Sequence, residues 1–144
     1  PFRVGYVRIL DWKKGLMEAR AARRDLPGMW EEFELRNGNK VFQPKDSEPM
    51  CKSDELSVIL VPGLAFTKDG KRLGRGVGFY DRFLALHPSA LRVGVAFESQ
   101  IMAQLPADTW DEDSDLILTD ENIYSTKTYD QWKFHGKVLD RRQS

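Results

Sequence analysis

Three short apolar runs dominate the hydrophobic pattern of the chain. They are SVILVPG (57–63), LRVGVAF (91–97) and DLILT (115–119), and each is rich in valine, isoleucine or leucine. Continuous apolar runs of this length are typical of strands that are buried on both faces of a sheet. The first run ends at a Pro-Gly pair, and we predict that it forms a central strand.

The residues before these runs have a weaker pattern. Residues 4–9 are β-branched and aromatic, which predicts a strand. Leu16 and Ala19 lie at helical spacing, which predicts a short helix over 12–24 that ends at Pro27. The basic residues of this segment form either a solvated face or a contact for phosphate or RNA. They are Lys13, Lys14, Arg20, Arg23 and Arg24.

Two more segments complete the pattern before residue 57. Phe33 and Leu35 alternate with glutamates, as in a half-buried strand. Residues 37–54 are dense in Asn, Gly, Pro, Asp and Ser and predict a long exposed loop. After residue 57, a helix is predicted over 81–86. Strands that alternate with short helices indicate an α/β fold with a mainly parallel sheet.

Composition favours one compact domain. The chain has 144 residues, of which 41% are hydrophobic, enough for a single α/β core. We assign residues 1–123 to this domain and residues 124–144 to a C-terminal extension over its surface. Twenty-two basic residues balance twenty-two acidic ones, so net charge indicates neither nucleic acid nor an anionic membrane as a general partner.

Cysteine content and the absence of long apolar runs bear on the compartment. Cys51 is the only cysteine, so no internal disulfide can form, which suits the cytoplasm or the mitochondrial matrix. No apolar run approaches the roughly 20 residues that cross a bilayer, and no membrane association is expected. The chain begins with Pro1 rather than methionine, which predicts a processed leader or a longer polypeptide.

The stretch GRGVGFYD (74–81) carries the most distinctive chemistry. Three alternate glycines permit positive φ and leave backbone amides unshielded, so that several amides can converge on an anion. Arg72 and Arg75 add charged donors, and a helix that starts near Phe79 would present its positive end to the same point. The alternatives are a phosphate-binding cradle and a flexible turn with solvated basic residues.

Two acidic residues are candidate metal ligands. Asp81 follows the glycines, where a carboxylate beside phosphate suits Mg²⁺, although it also suits the first turn of a helix. Asp115 begins a buried strand, where a charge needs a partner such as a metal or an arginine. The aromatic residues near the strand ends either line a cleft for a flat ring or belong to the core.

The residues 61–84, VPGLAFTKDGKRLGRGVGFYDRFL, resemble the signature of the 5-formyltetrahydrofolate cyclo-ligase family, also called 5,10-methenyltetrahydrofolate synthetase. The segments GVAFESQ (94–100) and 105–123 are similar to later blocks of the same family. This resemblance implies a three-layer, Rossmann-like fold. The family's N-terminal helix has no counterpart in residues 1–36.

The resemblance implies an ATP- and Mg²⁺-dependent ring closure. The formyl oxygen of 5-formyltetrahydrofolate takes the γ-phosphoryl group, N10 attacks the activated carbon, and phosphate leaves to give 5,10-methenyltetrahydrofolate. Positioning and charge neutralisation supply most of the catalysis in phosphoryl transfer.

The resemblance also assigns roles to particular residues. Arg75 and Tyr80 would be catalytic, and Asp81 with Asp115 would hold Mg²⁺. The folate would contact Phe66, Tyr80 and Phe97. The ATP phosphates would be surrounded by Arg72, Gly74, Arg75, Gly76, Val77, Gly78, Phe79 and Tyr80.

Departures from the family pattern leave two main hypotheses, besides a third option, a nucleotide-binding regulator without turnover. Val77 stands where lysine or glycine is frequent, and Phe79 where tyrosine is frequent. The first hypothesis is a cyclo-ligase whose N-terminal part lies outside this sequence. The second is a non-catalytic relative within a larger assembly, such as a mitochondrial ribonucleoprotein or ribosome. In that case the 12–24 segment and the C-terminal extension would contact protein or RNA.

Overall fold

A computed structural model of the chain describes residues 3–106, 112–126 and 128–130. The chain divides into two compact units, Pro1–Lys52 and Ser53–Ser144. Most of the extension predicted over 124–144 lies outside the described residues, so its boundary stays a prediction. Among the residues described, no helix is long and apolar enough to cross a membrane.

The first unit consists of two antiparallel hairpins. In chain order its strands are β1 (Gly5–Asp11), β2 (Leu16–Ala21), β3 (Trp30–Glu34) and β4 (Lys40–Pro44). β1 pairs with β2, and β3 pairs with β4. The strands predicted over 4–9 and around Phe33 are confirmed.

The helix predicted over 12–24 is wrong. Residues 16–21 form β2, in which Met17 and Ala19 are buried on one face while Leu16 is exposed. Gly15, with a φ of 64°, lies in the turn between the first two strands. Burial therefore follows the period of two of a strand. The loop predicted over 37–54 is wrong at residues 40–44, which form β4.

Polar contacts join the two hairpins of the first unit. The Arg8 guanidinium forms an ion pair with Glu31 and donates a hydrogen bond to the Pro44 carbonyl over 2.7 Å. The Gln43 side chain, 4% exposed, accepts a bond from the Ile9 amide at 3.1 Å. These contacts satisfy buried polar groups where the apolar core is small.

The second unit contains a four-stranded mixed sheet and an α-helix that follows the glycine-rich loop. Its elements are β5 (Val58–Val61), β6 (Ala65–Phe66), β7 (Arg72–Leu73), α1 (Phe79–Leu86), β8 (Leu91–Val95), β9 (Leu116–Leu118) and β10 (Ile123–Ser125). The sheet order is β10-β9-β8-β5. β8 is parallel to β5 and to β9, while β10 is antiparallel. The strands predicted from the three apolar runs are confirmed, as is the helix that includes residues 81–86.

β5 is not the central strand that its apolar run predicts. It lies at the outer edge of the described sheet. Ile59 and Val61 are buried, but Val58 is 51% and Leu60 is 64% exposed. An apolar run cannot distinguish a strand that is buried on both faces from a strand that is exposed on one face.

The core of the second unit lies on one face of its sheet. Phe66 and Ile117 are fully buried there, together with Phe83 and Leu84 of α1. A Cβ on Gly94 would lie 2.7 Å from the Phe66 ring, so only glycine allows this approach. The β6–β7 hairpin and α1 cover this face. A third layer on the opposite face stays a prediction for the described residues.

Candidate functional site

The glycine-rich loop connects β7 to α1. Gly76 and Gly78 have φ values of 90° and 79°, the left-handed region that glycine favours. Gly78 is the N-cap of α1 and has no side chain that could cap the first-turn amides. A Cβ at Gly76 would meet nothing within 4 Å, so the loop opens to space at this point. Exposed backbone, an uncapped helix end and an open approach are the features that an anion site requires.

Arg72 and Asp81 form an ion pair beside this loop. The Arg72 Nη2 atom lies 2.9 Å from Asp81 Oδ1, and the Arg72 side chain is only 6% exposed. Arg72 also lies over the Tyr80 ring, at 5.8 Å from its centroid. Its Nε atom is buried and has no hydrogen-bond partner among the described residues. Arg72 thus keeps one buried donor available beside the cradle.

Arg75 and Tyr80 differ in environment. Arg75 is exposed and forms no ion pair or side-chain hydrogen bond with any described residue. Burial raises the pKa of Tyr80, an effect that the nearby Arg72 charge partly offsets. Tyr80 therefore keeps its phenolic proton at neutral pH and can act as a hydrogen-bond donor.

The two predicted metal ligands have very different surroundings. Asp81 is partly exposed, and its Oδ1 accepts bonds from Arg72 and from the Glu112 amide. Asp115 is 0% exposed. Its Oδ2 accepts the Arg92 amide and its Oδ1 accepts the Thr128 hydroxyl, each at 2.8 Å. The surroundings of Asp115 are those of a structural carboxylate.

The two carboxylates are connected through Glu112 and Arg92. Glu112 donates its amide to Asp81 and forms an ion pair with Arg92, whose amide bonds to Asp115. No group of three or more His, Cys, Asp or Glu side chains is arranged to hold a metal within 3–106, 112–126 and 128–130. A shared metal at Asp81 and Asp115 stays a prediction.

The aromatic candidates separate into a core residue and a surface residue. Phe66 is fully buried, so its ring offers no surface to a ligand in this structure. Phe97 is 67% exposed at the carboxyl end of β8. Ligands of open α/β sheets bind at such strand ends. Folate contacts by both residues stay predictions, and Phe97 is the accessible one.

The remaining cradle residues have local roles. The Val77 carbonyl accepts a 2.6 Å hydrogen bond from Arg82 Nη1. A Cβ on Gly74 would lie 2.8 Å from Arg72 Nη1, so glycine leaves room for that guanidinium. Phe79 begins α1.

Several polar residues near these strands were missed by sequence reasoning. Arg92 is 2% exposed and bonds to the Leu84 carbonyl at 3.1 Å as well as to Glu112. An arginine within an apolar run was a signal that a buried charge pair exists. Glu98 accepts bonds from Thr119 and Tyr124, and these bonds lower the pKa of Glu98. No motif indicated that cluster.

The basic segment 12–24 makes mostly internal contacts. Arg20 binds Glu18 and the carbonyls of Asp46 and Glu48. Arg23 pairs with Asp25 at 2.7 Å. Nothing in these contacts favours an RNA-binding role.

A glycine-rich loop that leads into a helix beside parallel strands is typical of α/β proteins that bind phosphate groups. The chain belongs to the 5-formyltetrahydrofolate cyclo-ligase family, whose sequence model matches residues 18–120. The resemblance that the glycine motif predicted is therefore confirmed.

Individual relatives agree with this assignment. The chain is 34% identical over 93 residues to the 5-formyltetrahydrofolate cyclo-ligase of Escherichia coli K12, covering 62% of this chain and 51% of the relative. It is 40% identical over 90 residues to the mouse enzyme of the same name, covering 57% and 44%. The chain thus spans about half the length of the curated relatives it matches.

A solved structure is also similar. The solution structure of Aquifex aeolicus 5,10-methenyltetrahydrofolate synthetase superposes with a TM-score of 0.69 and 26% identity. The superposition covers 87% of this chain and 59% of the Aquifex chain.

Proposed function

We propose that this chain takes part in the ATP- and Mg²⁺-dependent conversion of 5-formyltetrahydrofolate to 5,10-methenyltetrahydrofolate. Family membership and the names of the relatives support a cyclo-ligase. The observation that carries the proposal is the loop before α1, which contains two left-handed glycines and the exposed Arg75 and leads into an uncapped helix end.

The residues of the loop fit a triphosphate. Amides from Gly74 to Tyr80, with the α1 N-terminus, would surround its oxygens. Arg75 would supply a charged donor from the open side. Arg72 would supply a second donor, because its Nε has no hydrogen-bond partner within the described chain.

Asp81 fits a magnesium ligand better than Asp115 does. The Asp81 Oδ2 accepts no hydrogen bond from a described residue, and Mg²⁺ is often held by one carboxylate with phosphate oxygens. A metal at Asp115 would have to reach a fully buried carboxylate whose two oxygens already accept bonds. We therefore propose Asp81 as the residue that meets the metal.

ATP, when bound, supplies the phosphoryl group that turns the formyl oxygen into a leaving group. This chain's own residues would position the reactants and neutralise the charge of the phosphates. Arg75 would stabilise the charge that develops between the reacting oxygens. Tyr80 keeps its proton because burial raises its pKa, so it would donate a hydrogen bond rather than act as a base. Phe97 would pack against the flat ring of the folate.

A binding and turnover experiment tests this function. The purified chain is mixed with ATP, Mg²⁺ and 5-formyltetrahydrofolate, and nucleotide affinity and methenyl absorbance are followed. Arg75→Ala should weaken ATP binding by roughly tenfold or more, since a charged hydrogen bond contributes about 1.5–3 kcal/mol. Arg36→Ala, another exposed arginine, is the control and should leave affinity unchanged.

The outcomes separate the hypotheses. Equal ATP affinity in Arg75→Ala and in the unmodified chain would refute the proposal that this loop binds the ATP phosphates. ATP binding without methenyl formation would place the nucleotide site on this chain but not the complete ring-closing activity. Absence of both would remove the proposed function.

A further inference from the structure

Gln100, the last residue of the GVAFESQ segment, has no role in the reaction proposed above. It ends a short 3-10 turn, Glu98–Gln100, that follows the carboxyl end of β8, and it is half-buried. Its side-chain amide makes three hydrogen bonds, all with backbone atoms. Because both its nitrogen and its oxygen are bonded in this way, the amide fixes the backbone on two sides.

On one side, Gln100 fixes the backbone of Phe97. The Phe97 amide donates to Gln100 Oε1 over 2.8 Å, and the Phe97 carbonyl accepts the Gln100 backbone amide over 2.9 Å. Both backbone polar groups of Phe97 are thus bonded to one residue, while the Phe97 side chain is 67% exposed. An exposed aromatic ring on a fixed backbone is pre-organised for stacking, since binding need not order that backbone.

On the other side, Gln100 reaches the neighbouring strand. Its Nε2 atom donates to the carbonyls of Gly63 and Leu64, each at 3.1 Å. These two residues follow β5, whose ladder with β8 ends at the pair Val61 and Gly94. The Gln100 amide therefore connects the carboxyl ends of two adjacent parallel strands beyond their last ladder pair. Ligands of open α/β sheets bind at such strand ends.

The neighbouring segments have contacts of their own that do not involve this amide. The Leu64 backbone amide donates to the Leu73 carbonyl over 2.8 Å, which ties the residues after β5 to β7. The Glu98 amide donates to Asp120 Oδ1 over 2.7 Å, which ties the start of the turn to the loop after β9. A variant without the glutamine amide should therefore fold, with its main change in the backbone of the turn.

We propose that Gln100 is a positioning residue for the folate substrate. Its amide holds the Phe97 backbone so that the exposed ring packs against the flat ring of 5-formyltetrahydrofolate. The proposal rests on the proposed function, because it takes this folate as the ligand. It adds a residue that does not touch the substrate and that acts through Phe97.

A double-mutant cycle tests the positioning role. Calorimetry measures the affinity for 5-formyltetrahydrofolate, without ATP, of the unmodified chain, Gln100→Ala, Phe97→Ala and the double variant. Gln100→Ala should weaken folate binding by about fivefold, the effect of one neutral hydrogen bond, and Phe97→Ala by about tenfold. The double variant should bind no more weakly than Phe97→Ala, because Gln100 acts through that ring.

Further measurements separate positioning from a general loss of structure. The ATP affinity of Gln100→Ala should stay within about twofold of that of the unmodified chain. Amide hydrogen exchange without ligands, followed by NMR, should be faster at Phe97 in Gln100→Ala. Gln100→Asn, one methylene shorter, keeps an amide without the reach and should behave in the same way. Gln104→Ala, at an exposed glutamine, is the matched control and should change none of these quantities.

The outcomes distinguish this proposal from the proposed function. Equal folate affinity in Gln100→Ala and in the unmodified chain would overturn the positioning role and leave the proposed function intact. Independent effects of the two substitutions, which multiply in the double variant, would do the same. Absence of folate binding by the unmodified chain would instead remove the proposed function and the positioning role with it.

Discussion

At the scale of single residues, the two aspartates that the resemblance assigns to a metal ion have opposite environments. Asp81 is partly exposed and shares one oxygen between a guanidinium and an amide. Asp115 is fully buried, and its oxygens accept bonds from Arg92 and Thr128. A buried carboxylate with all its bonds made stabilises the fold, and removing its charge leaves polar partners unsatisfied.

Asp115→Asn should therefore destabilise the chain. The amide group would place a donor where the carboxylate accepts, and we expect a loss of about 1–3 kcal/mol in the free energy of unfolding. Urea denaturation measures this loss. Asp54→Asn, at an exposed aspartate, is the control and should change stability little. Unchanged stability together with weaker Mg²⁺ binding would instead assign Asp115 to the metal.

The buried side chain of His87 leads to a second prediction at the scale of single residues, that the free energy of unfolding depends on pH. The side chain is 8% exposed, its ring lies 4.4 Å from that of Phe83, and burial lowers its pKa. The folded state then binds fewer protons than the unfolded state, whose histidine titrates near 6.5. The stability that neutral His87 contributes is therefore fully present above pH 6.5 and is lost as the pH falls below 6.5.

The slope of unfolding free energy against pH shows whether His87 causes this dependence. Between pH 6.5 and 5, the unmodified chain should lose stability by up to about 1.4 kcal/mol per pH unit more than His87→Gln does. Denaturant unfolding at several pH values gives the comparison. His135→Gln is the control for the second histidine. Parallel pH profiles for His87→Gln and the unmodified chain would refute the assignment.

At the scale of elements, the start of α1 combines a backbone requirement with the proposed phosphate site. Gly78 is the N-cap with a φ of 79°, and the side chain of Arg82 folds back to the Val77 carbonyl. A Cβ at Gly78 would lie 2.6 Å from Arg82 Nη1. That guanidinium is the flexible end of a side chain and can move, but the backbone conformation cannot change without moving the loop.

Gly78→Ala should cost about 1–2 kcal/mol of unfolding free energy, because alanine is strained at positive φ. Gly28→Ala is the matched control, since its Cβ would meet nothing within 4 Å and its φ is not in the left-handed region. Thermal and denaturant unfolding compare the two variants. Equal stability would mean that the loop before α1 relaxes without cost.

Elements with a local signal were predicted from the sequence, and elements that depend on distant partners were not. The three apolar runs and the helix after the glycines each have a signal in their own residues, and all four elements exist. β2 was missed because Leu16 and Ala19 also fit a helical spacing, and only pairing with β1 decides between the two. β4 was missed because it lies in a segment dense in Asn, Gly, Pro, Asp and Ser, and because its partner, β3, lies across a turn.

The candidate site shows the same limit. Glycines and a first-turn aspartate in one motif predicted the cradle, and their conformations agree with it. The ion pair between Arg72 and Asp81 joins residues nine positions apart, and no sequence pattern specifies it. The burial of Asp115 depends on Arg92 and Thr128, which lie on other elements.

At the scale of the whole molecule, the described part of the second unit has one covered sheet face and one face on which several aliphatic side chains are exposed. The covered face holds Phe66, Ile117 and the buried residues of α1. The opposite face, which we call the open face, exposes the aliphatic side chains of Leu60, Leu118 and Ile123. Such a surface binds apolar dyes, and adding charge to it reduces that binding.

The double variant Leu60→Lys/Ile123→Lys tests the exposure of the open face directly. It replaces two of the most exposed residues there, and we expect the fluorescence of bound anilinonaphthalene sulfonate to fall by roughly half. Gln104→Lys, at an exposed polar position away from the strands, controls for the added charge. Because the dye is anionic, added lysine alone should raise binding or leave it unchanged. A decrease in the double variant but not in Gln104→Lys therefore reports lost apolar surface. Equal dye binding in all three proteins would mean that the open face is covered when the chain is in solution.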